Sequence, residues 1–212
     1  GGTESFAYDA SGLKTVGTDA KGHTTTYTYH ADGRLASRTD ALGNTTSYEY
    51  DGLGRRTKLT HPDGAFQTWT YDDYGNVLSE TDETGAVTSY VYDSYSRVTY
   101  RIDPLGQVTE YIYPGGPNGC SSCGFSSQPE QIISPEGNIT YFTYDKEGRR
   151  LSETRGYGTP EAATTSFTYD AKGRLIAEND PLGNTWTYAY DSRGRRASET
   201  DPLGNTTAWT YD

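Results

Sequence analysis

Short runs in which β-branched or aromatic residues alternate with polar ones recur along the whole chain. "TTTYTY" (24–29), "TTSYEY" (45–50), "FQTWTY" (66–71), "VTSYVY" (87–92) and "NTWTYAY" (184–190) are of this kind. Residues of these types favour extended backbone, and a period of two marks a strand with two different faces. Thr46, Tyr48 and Tyr50 fall on one face, and Thr45, Ser47 and Glu49 on the other. A second, more polar class alternates with the first: "GRLASRT" (33–39), "GRRTKLT" (54–60) and "GRLIAEN" (173–179). No stretch carries a 3.6-residue apolar period, so the pattern predicts no helix of consequence.

The runs keep a strict register. Tyr8, Tyr29, Tyr50, Tyr71, Tyr92 and Tyr113 are spaced by 21 residues. The interval stretches to 31 at Tyr144 and 25 at Tyr169, then returns to 21 for Tyr190 and Tyr211. A fixed period broken by two insertions predicts one repeat array over 1–212, with loop insertions at 114–128 and 156–163.

Each period contains two tetrapeptides of the form Asp-x-x-Gly. One class follows the repeat tyrosine, as in Asp51-Gly52-Leu53-Gly54. The other comes half a period later, as in Asp40-Ala41-Leu42-Gly43, Asp103-Pro104-Leu105-Gly106 and Asp180-Pro181-Leu182-Gly183. Aspartate at the first position of a type I turn accepts a bond from backbone two residues on. Glycine at the fourth takes the positive φ that lets the strands resume pairing, which makes Gly43, Gly54, Gly85, Gly106, Gly137, Gly183 and Gly204 the candidate turn glycines. Pro62, Pro104, Pro135, Pro181 and Pro202 all stand second, where proline fits and no amide donor is lost.

These features predict an all-β antiparallel meander of about nineteen hairpin-linked strands. Open twisted sheets rarely exceed ~10 strands without curling. The ribbon is therefore expected to roll, as a spiral shell or a narrow solenoid-like filament.

Composition sharpens this picture. The chain is only 32% hydrophobic, with a mean hydropathy of -0.83. Its 20 Tyr, 5 Phe and 3 Trp nevertheless set it apart from disordered sequences, which are poor in aromatics. A formal net charge of -11 disfavours nucleic acid as a partner. No apolar run is long enough to span a membrane as a helix. The absence of Met, and ends that cut across the period, predict a piece of a longer protein.

The phrase Gly-Arg-Leu, followed by Thr-Asp-x-x-Gly-Asn-x-Thr-x-Tyr-x-Tyr-Asp-x-x-Gly-Arg, resembles the YD repeats of the Rhs family. That family includes Rhs polymorphic toxins, Tc toxin C components, wall-associated bacterial proteins and teneurins. Residues 33–55 and 173–195 are near-ideal copies, and the likeness covers nearly everything outside the two insertions. The resemblance implies a long β-ribbon wound into a hollow shell, acting as container or surface scaffold. Toxin-releasing members carry paired Asp-Pro-x-Gly-Leu motifs in a self-cleaving segment. Here Asp103-Pro104-Leu105-Gly106 is followed by Gln107, and the matching turns by Asn184 and Asn205, so all three read as ordinary repeat turns.

Candidate chemistry is sparse. Cys120 and Cys123 lie in the longer insertion; a local disulfide is the leading reading. Half a zinc site drawing on His23, His30 or His61, a redox motif, and free thiols stay open beside it. The turn aspartates read as turn caps rather than calcium ligands. No nucleophile–base pair, phosphate loop or metal triad is evident, and no cofactor is expected. The sequence thus predicts a non-enzymatic extracellular or cell-surface scaffold. Its partners would be further YD repeats of the same or neighbouring chains. A carbohydrate-binding adhesin and a toxin-enclosing shell segment are the alternatives, with glycans or an enclosed polypeptide as the added partner.

Overall fold

The computed structural model describes residues 2–114 and 127–212. The chain divides into two compact units, Gly1–Gly106 and Gln107–Asp212. The first holds β1 (Ser5–Tyr8), β2 (Lys14–Thr18), β3 (Thr24–Tyr29), β4 (Leu35–Thr39), β5 (Thr45–Tyr50), β6 (Arg56–Thr60), β7 (Phe66–Tyr71), β8 (Val77–Thr81), β9 (Val87–Tyr92) and β10 (Val98–Ile102). The second holds β11 (Val108–Ile112), β12 (Gln131–Ile133), β13 (Ile139–Tyr144), β14 (Arg150–Arg155), β15 (Ala163–Tyr169), β16 (Leu175–Asn179), β17 (Thr185–Tyr190), β18 (Arg196–Thr200) and β19 (Thr206–Ala208). Within each unit every strand pairs antiparallel with the next, and no helix occurs among the described residues. All turns that follow a repeat tyrosine therefore lie along one rim of their unit, here the YD rim. The half-period turns lie along the opposite rim.

Turns of both classes are built alike. At the half-period turn of residues 40–43, the Gly43 amide donates to the Asp40 carbonyl at 3.0 Å, and the Asp40 amide to the Asn44 carbonyl at 3.0 Å. One Asp40 carboxylate oxygen accepts from the amides of Leu42 and Asn44, both at 2.9 Å. Gly43 takes φ 85° and Gly54 φ 88°, conformations costly for a residue with a Cβ. In the YD turn of residues 93–96 a serine stands at this place, with φ 59°.

The two rims differ at the start of the returning strand. Every YD hairpin closed by a tetrapeptide turn shifts register just past that turn, whereas β11 and β12, joined through the longer insertion, pair without a shift. Tyr29 pairs with Leu35, but Thr28 pairs with Ser37, leaving Ala36 as a bulge. The same step recurs at Tyr50, Tyr71, Tyr144, Tyr169 and Tyr190, and none occurs at the half-period hairpins. The bulge explains the odd period. Side chains alternate every residue, so 21 residues of regular hairpins would put successive repeat tyrosines on opposite faces. One extra residue per repeat restores parity. Tyr29 and Tyr50 therefore share a face with Tyr27 and Tyr48, while Thr28, Ser37 and Ser47 share the other.

The register is also oblique. Straight across from Tyr27 lie Arg38 and then Thr46, not Tyr48. Equivalent residues thus step two places along the strand per repeat, roughly 7 Å at ~3.4 Å per residue. A closed barrel requires a constant stagger of this kind between its strands.

The core is thin. Among the described residues Tyr113 and Phe142 (each 9% exposed), Thr88 (8%), Gly17 and Pro114 are the buried ones. Rings on the tyrosine face are half-buried by neighbouring repeats. The opposite face is a ladder of hydroxyls, with Thr28–Ser37 at 2.7 Å, Thr70–Ser79 at 2.6 Å and Thr143–Ser152 at 2.7 Å.

Candidate functional site: the clasp between repeats

The residues that the repeat specifies most strongly meet along the YD rim. Arg55 follows the glycine of its turn. Its Nε donates to Asp51 at 2.6 Å, and its guanidinium also donates to the Asp72 carbonyl in the next repeat. The same guanidinium lies 4.7 Å from the Tyr71 ring centroid. Arg34 reaches the Asp51 carbonyl at 2.9 Å and sits 5.2 Å from Tyr50. Arg174 over Tyr190 (4.6 Å) and Arg195 over Tyr211 (4.3 Å) repeat the contact. Arg34 and Arg55 thus hold their own turn, the next turn's backbone and the next tyrosine's π-face, and Arg174 and Arg195 hold their own turn and the next π-face.

The tyrosines bind in the other direction. Tyr29 donates its hydroxyl to the Lys14 carbonyl at 2.7 Å, Tyr71 to Arg56 at 2.7 Å, and Tyr92 to Val77 at 2.8 Å. Tyr144, Tyr190 and Tyr211 bond to Pro129, Leu175 and Arg196 at 2.9, 2.8 and 2.8 Å. Tyr169 spans the shorter insertion to bond Arg150 at 2.9 Å. Except for Pro129, which lies two residues before β12, the acceptor opens the strand that follows the preceding YD turn. Tyr8, with no repeat before it in the described chain, is exposed, whereas Tyr113 is buried.

The side-chain partner of the turn aspartate is arginine at most YD turns, with Asn76 the exception at Asp72. The amide of Arg174 and its guanidinium beside Asp170 hold that carboxyl below its ordinary range. At the half-period turns the partner is uncharged: Asn184 donates to Asp180 at 2.7 Å, and Asn205 to Asp201 at 2.7 Å. These side-chain bonds also lower the carboxyl pKa. In the one turn where His30 stands first, Arg34 turns to Asp32 instead and pulls its pKa down to about 2.

The other candidates fall outside this clasp. Cys120 and Cys123 lie outside the described residues, as does most of the insertion at 114–128. His23 bonds Asp19 at 2.9 Å, His30 meets the Tyr48 carbonyl at 3.0 Å, and His61 meets Glu83 at 3.1 Å; the three are dispersed over different turns. Among the described residues no three His, Cys, Asp or Glu side chains converge on a metal position. Trp69 is covered by the Arg56 guanidinium at 4.5 Å. In the shorter insertion Tyr157 stacks on Tyr141 at 4.7 Å, a contact the repeat pattern does not announce.

The model of the RHS repeat matches at residues 8–44, 29–65, 71–108 and 169–206, well over half of the chain. The chain belongs to the RHS repeat family. No curated protein matches it. Among solved structures it resembles the TcdB2–TccC3 complex without its hypervariable C-terminal region, at TM-score 0.73 and 18% identity over 98% of this chain. It also resembles TcdB2–TccC3–TEV, at TM-score 0.58 and 15% identity over 99% of the chain. The Tc holotoxin pore of Photorhabdus luminescens matches at TM-score 0.52 and 16% identity over 99%. At these identities the likeness is one of fold. The RHS repeat chain spans 13%, 15% and 15% of the respective chains it matches.

Proposed function

We propose that this RHS repeat array is a non-enzymatic wall segment of a longer protein, working outside the cell or at its surface. The clasp carries the reading. Most repeats bind the next through Arg, Asp and Tyr, with Leu13 and Asn76 in the arginine's place after two of the turns, and no group is set apart for a reaction. Such nearest-neighbour units add up to a longer object without a fixed end. The oblique register supports a wall that winds.

The toxin-shell version has one observation in its favour, the likeness in fold to Tc toxin structures. There the wall would enclose a polypeptide. Glycan binding is less favoured, because Trp69 already has a guanidinium over its ring. Electron microscopy of the intact parent protein tests the reading. A continuous thin filament supports the surface scaffold, and a wide hollow capsule supports the shell. A compact particle in which the repeats form no wall would overturn both.

A further inference from the structure

The half-period rim carries a feature that neither the turns nor the clasp requires. Leu42, Leu105, Leu182 and Leu203 occupy the third turn position and are 88, 82, 87 and 88% exposed. The fold does not ask for leucine there, since Lys21, Asp63 and Thr84 fill the same position in sister turns. Leu182 and Leu203 stand at consecutive turns, two strands apart, so with ~4.8 Å per strand and the ~7 Å stagger about 12 Å separates them.

The YD turns of the first unit also carry exposed apolar tips, Leu53, Tyr74 and Tyr95, so the contrast between rims belongs to the second unit, where charge is divided as well. In the second unit the half-period turns carry Glu136, Glu161, Asp180 and Asp201 and no lysine or arginine. The described YD tetrapeptide turns and the arginines that follow them carry Asp145, Glu147, Asp170 and Asp191 against Lys146, Arg149, Lys172, Arg174, Arg193 and Arg195. One rim is therefore acidic with apolar tips, and the other has an excess of cations. Arg149, Arg174 and Arg195 are held by their aspartates. Lys172 and Arg193 project from exposed tips, spaced like Leu182 and Leu203 because both pairs are 21 residues apart.

We propose that the half-period rim of one copy docks on the YD rim of the second unit of another copy. Leu182 and Leu203 pack along the aliphatic stems of Lys172 and Arg193, whose charged heads reach the acidic turns. Equal pitch lets both contacts form together. Because the two rims are different surfaces, the association is head-to-tail and does not close on itself. The inference extends the wall-segment reading by naming what joins one band of repeats to another. Its test is independent of particle shape.

Sedimentation velocity of the 212-residue chain, over a concentration series at low and high salt, reads the association directly. Open-ended self-association that salt weakens is expected. Leu182→Ser/Leu203→Ser and Lys172→Glu/Arg193→Glu should each weaken it at least about tenfold, equivalent to 1.4 kcal/mol. Circular dichroism of both variants should be unchanged. Mixed in equal amounts, the two variants retain one intact rim of each kind and should form dimers but nothing longer. A monomeric parent chain at low salt, association that survives either double substitution, or a mixture without dimers would each overturn the proposal.

Discussion

The YD turn and the half-period turn share the same four-residue geometry and do different work. At residues 180–184 the bonds are closed within the turn: Asp180 to the amides of Leu182 and Asn184, and Asn184 back to Asp180. At residues 191–195 the same inner bonds are present, and Arg195 adds contacts to the following Tyr211 and to the Asp212 carbonyl. Apart from the contact of His61 and Gln67 with Glu83, the half-period rim is a row of self-sufficient reversals. The YD rim couples the repeats and carries the bulge that keeps their faces aligned. One rim therefore tolerates variation at its tips, and the other governs the array.

The largest test of that contrast is removal of a bulge residue. Ile176 is the extra residue between the pairs Tyr169–Leu175 and Thr168–Ala177. Deleting it regularises the hairpin but turns Trp186, Tyr188 and Tyr190 toward the hydroxyl face. We expect β16–β19 to lose protection in hydrogen exchange, with a loss above about 4 kcal/mol. Ile176→Ala, which keeps the count, should cost about 1 kcal/mol at this half-buried site, well below the range for fully buried isoleucines. Equal effects for deletion and truncation would break the parity account.

Much of this was legible from residue spacing alone. Tyr-Asp at 21-residue steps, Asp-x-x-Gly at every reversal and proline confined to the second turn position predicted about nineteen strands, and nineteen are found among the described residues. Two features were not. The bulge has no residue signature: Ala36, Thr57, Leu78 and Ile176 all fill it. It emerges only from asking how an odd period keeps tyrosines on one face. The clasp joins Arg34 to Asp51 and Tyr50, 17 and 16 residues away, across two intervening strands. Local propensity carries no information on such a contact. The leucine tips were read merely as turn residues, because exposure at a tip is a tertiary fact.

A second test compares glycines. Gly173 on the YD rim and Gly183 on the other take nearly the same φ, 81° and 86°. A Cβ at Gly183 meets open space, whereas one at Gly173 comes within 3.0 Å of the Arg149 guanidinium and presses on the clasp. Gly183→Ala should cost about 1 kcal/mol for the left-handed backbone alone. Gly173→Ala should cost about 2 kcal/mol, the same backbone term plus a displaced cation–π contact. Thermal melts that rank the two in the opposite order would place the coupling between repeats elsewhere.

The finest test asks whether a single hydroxyl matters differently on each side of the contrast. Tyr190 donates across repeats to the Leu175 carbonyl at 2.8 Å in a half-buried setting, and its ring keeps the Arg174 contact when the hydroxyl is removed. Tyr190→Phe therefore isolates one bond and should cost about 1 kcal/mol, since the Leu175 carbonyl loses its donor where water enters poorly. Thr200 and Thr206 share a bond of 2.9 Å beside a half-period turn, but that bond is exposed. Thr200→Val leaves Thr206 free to bond water and keeps a β-branched residue in its strand, so the cost should stay below about 0.5 kcal/mol. Urea titrations of the two variants give the comparison directly. A Tyr190→Phe chain as stable as the parent would mean that the arginine alone links one repeat to the next, and that the repeat tyrosine contributes its ring and not its hydroxyl.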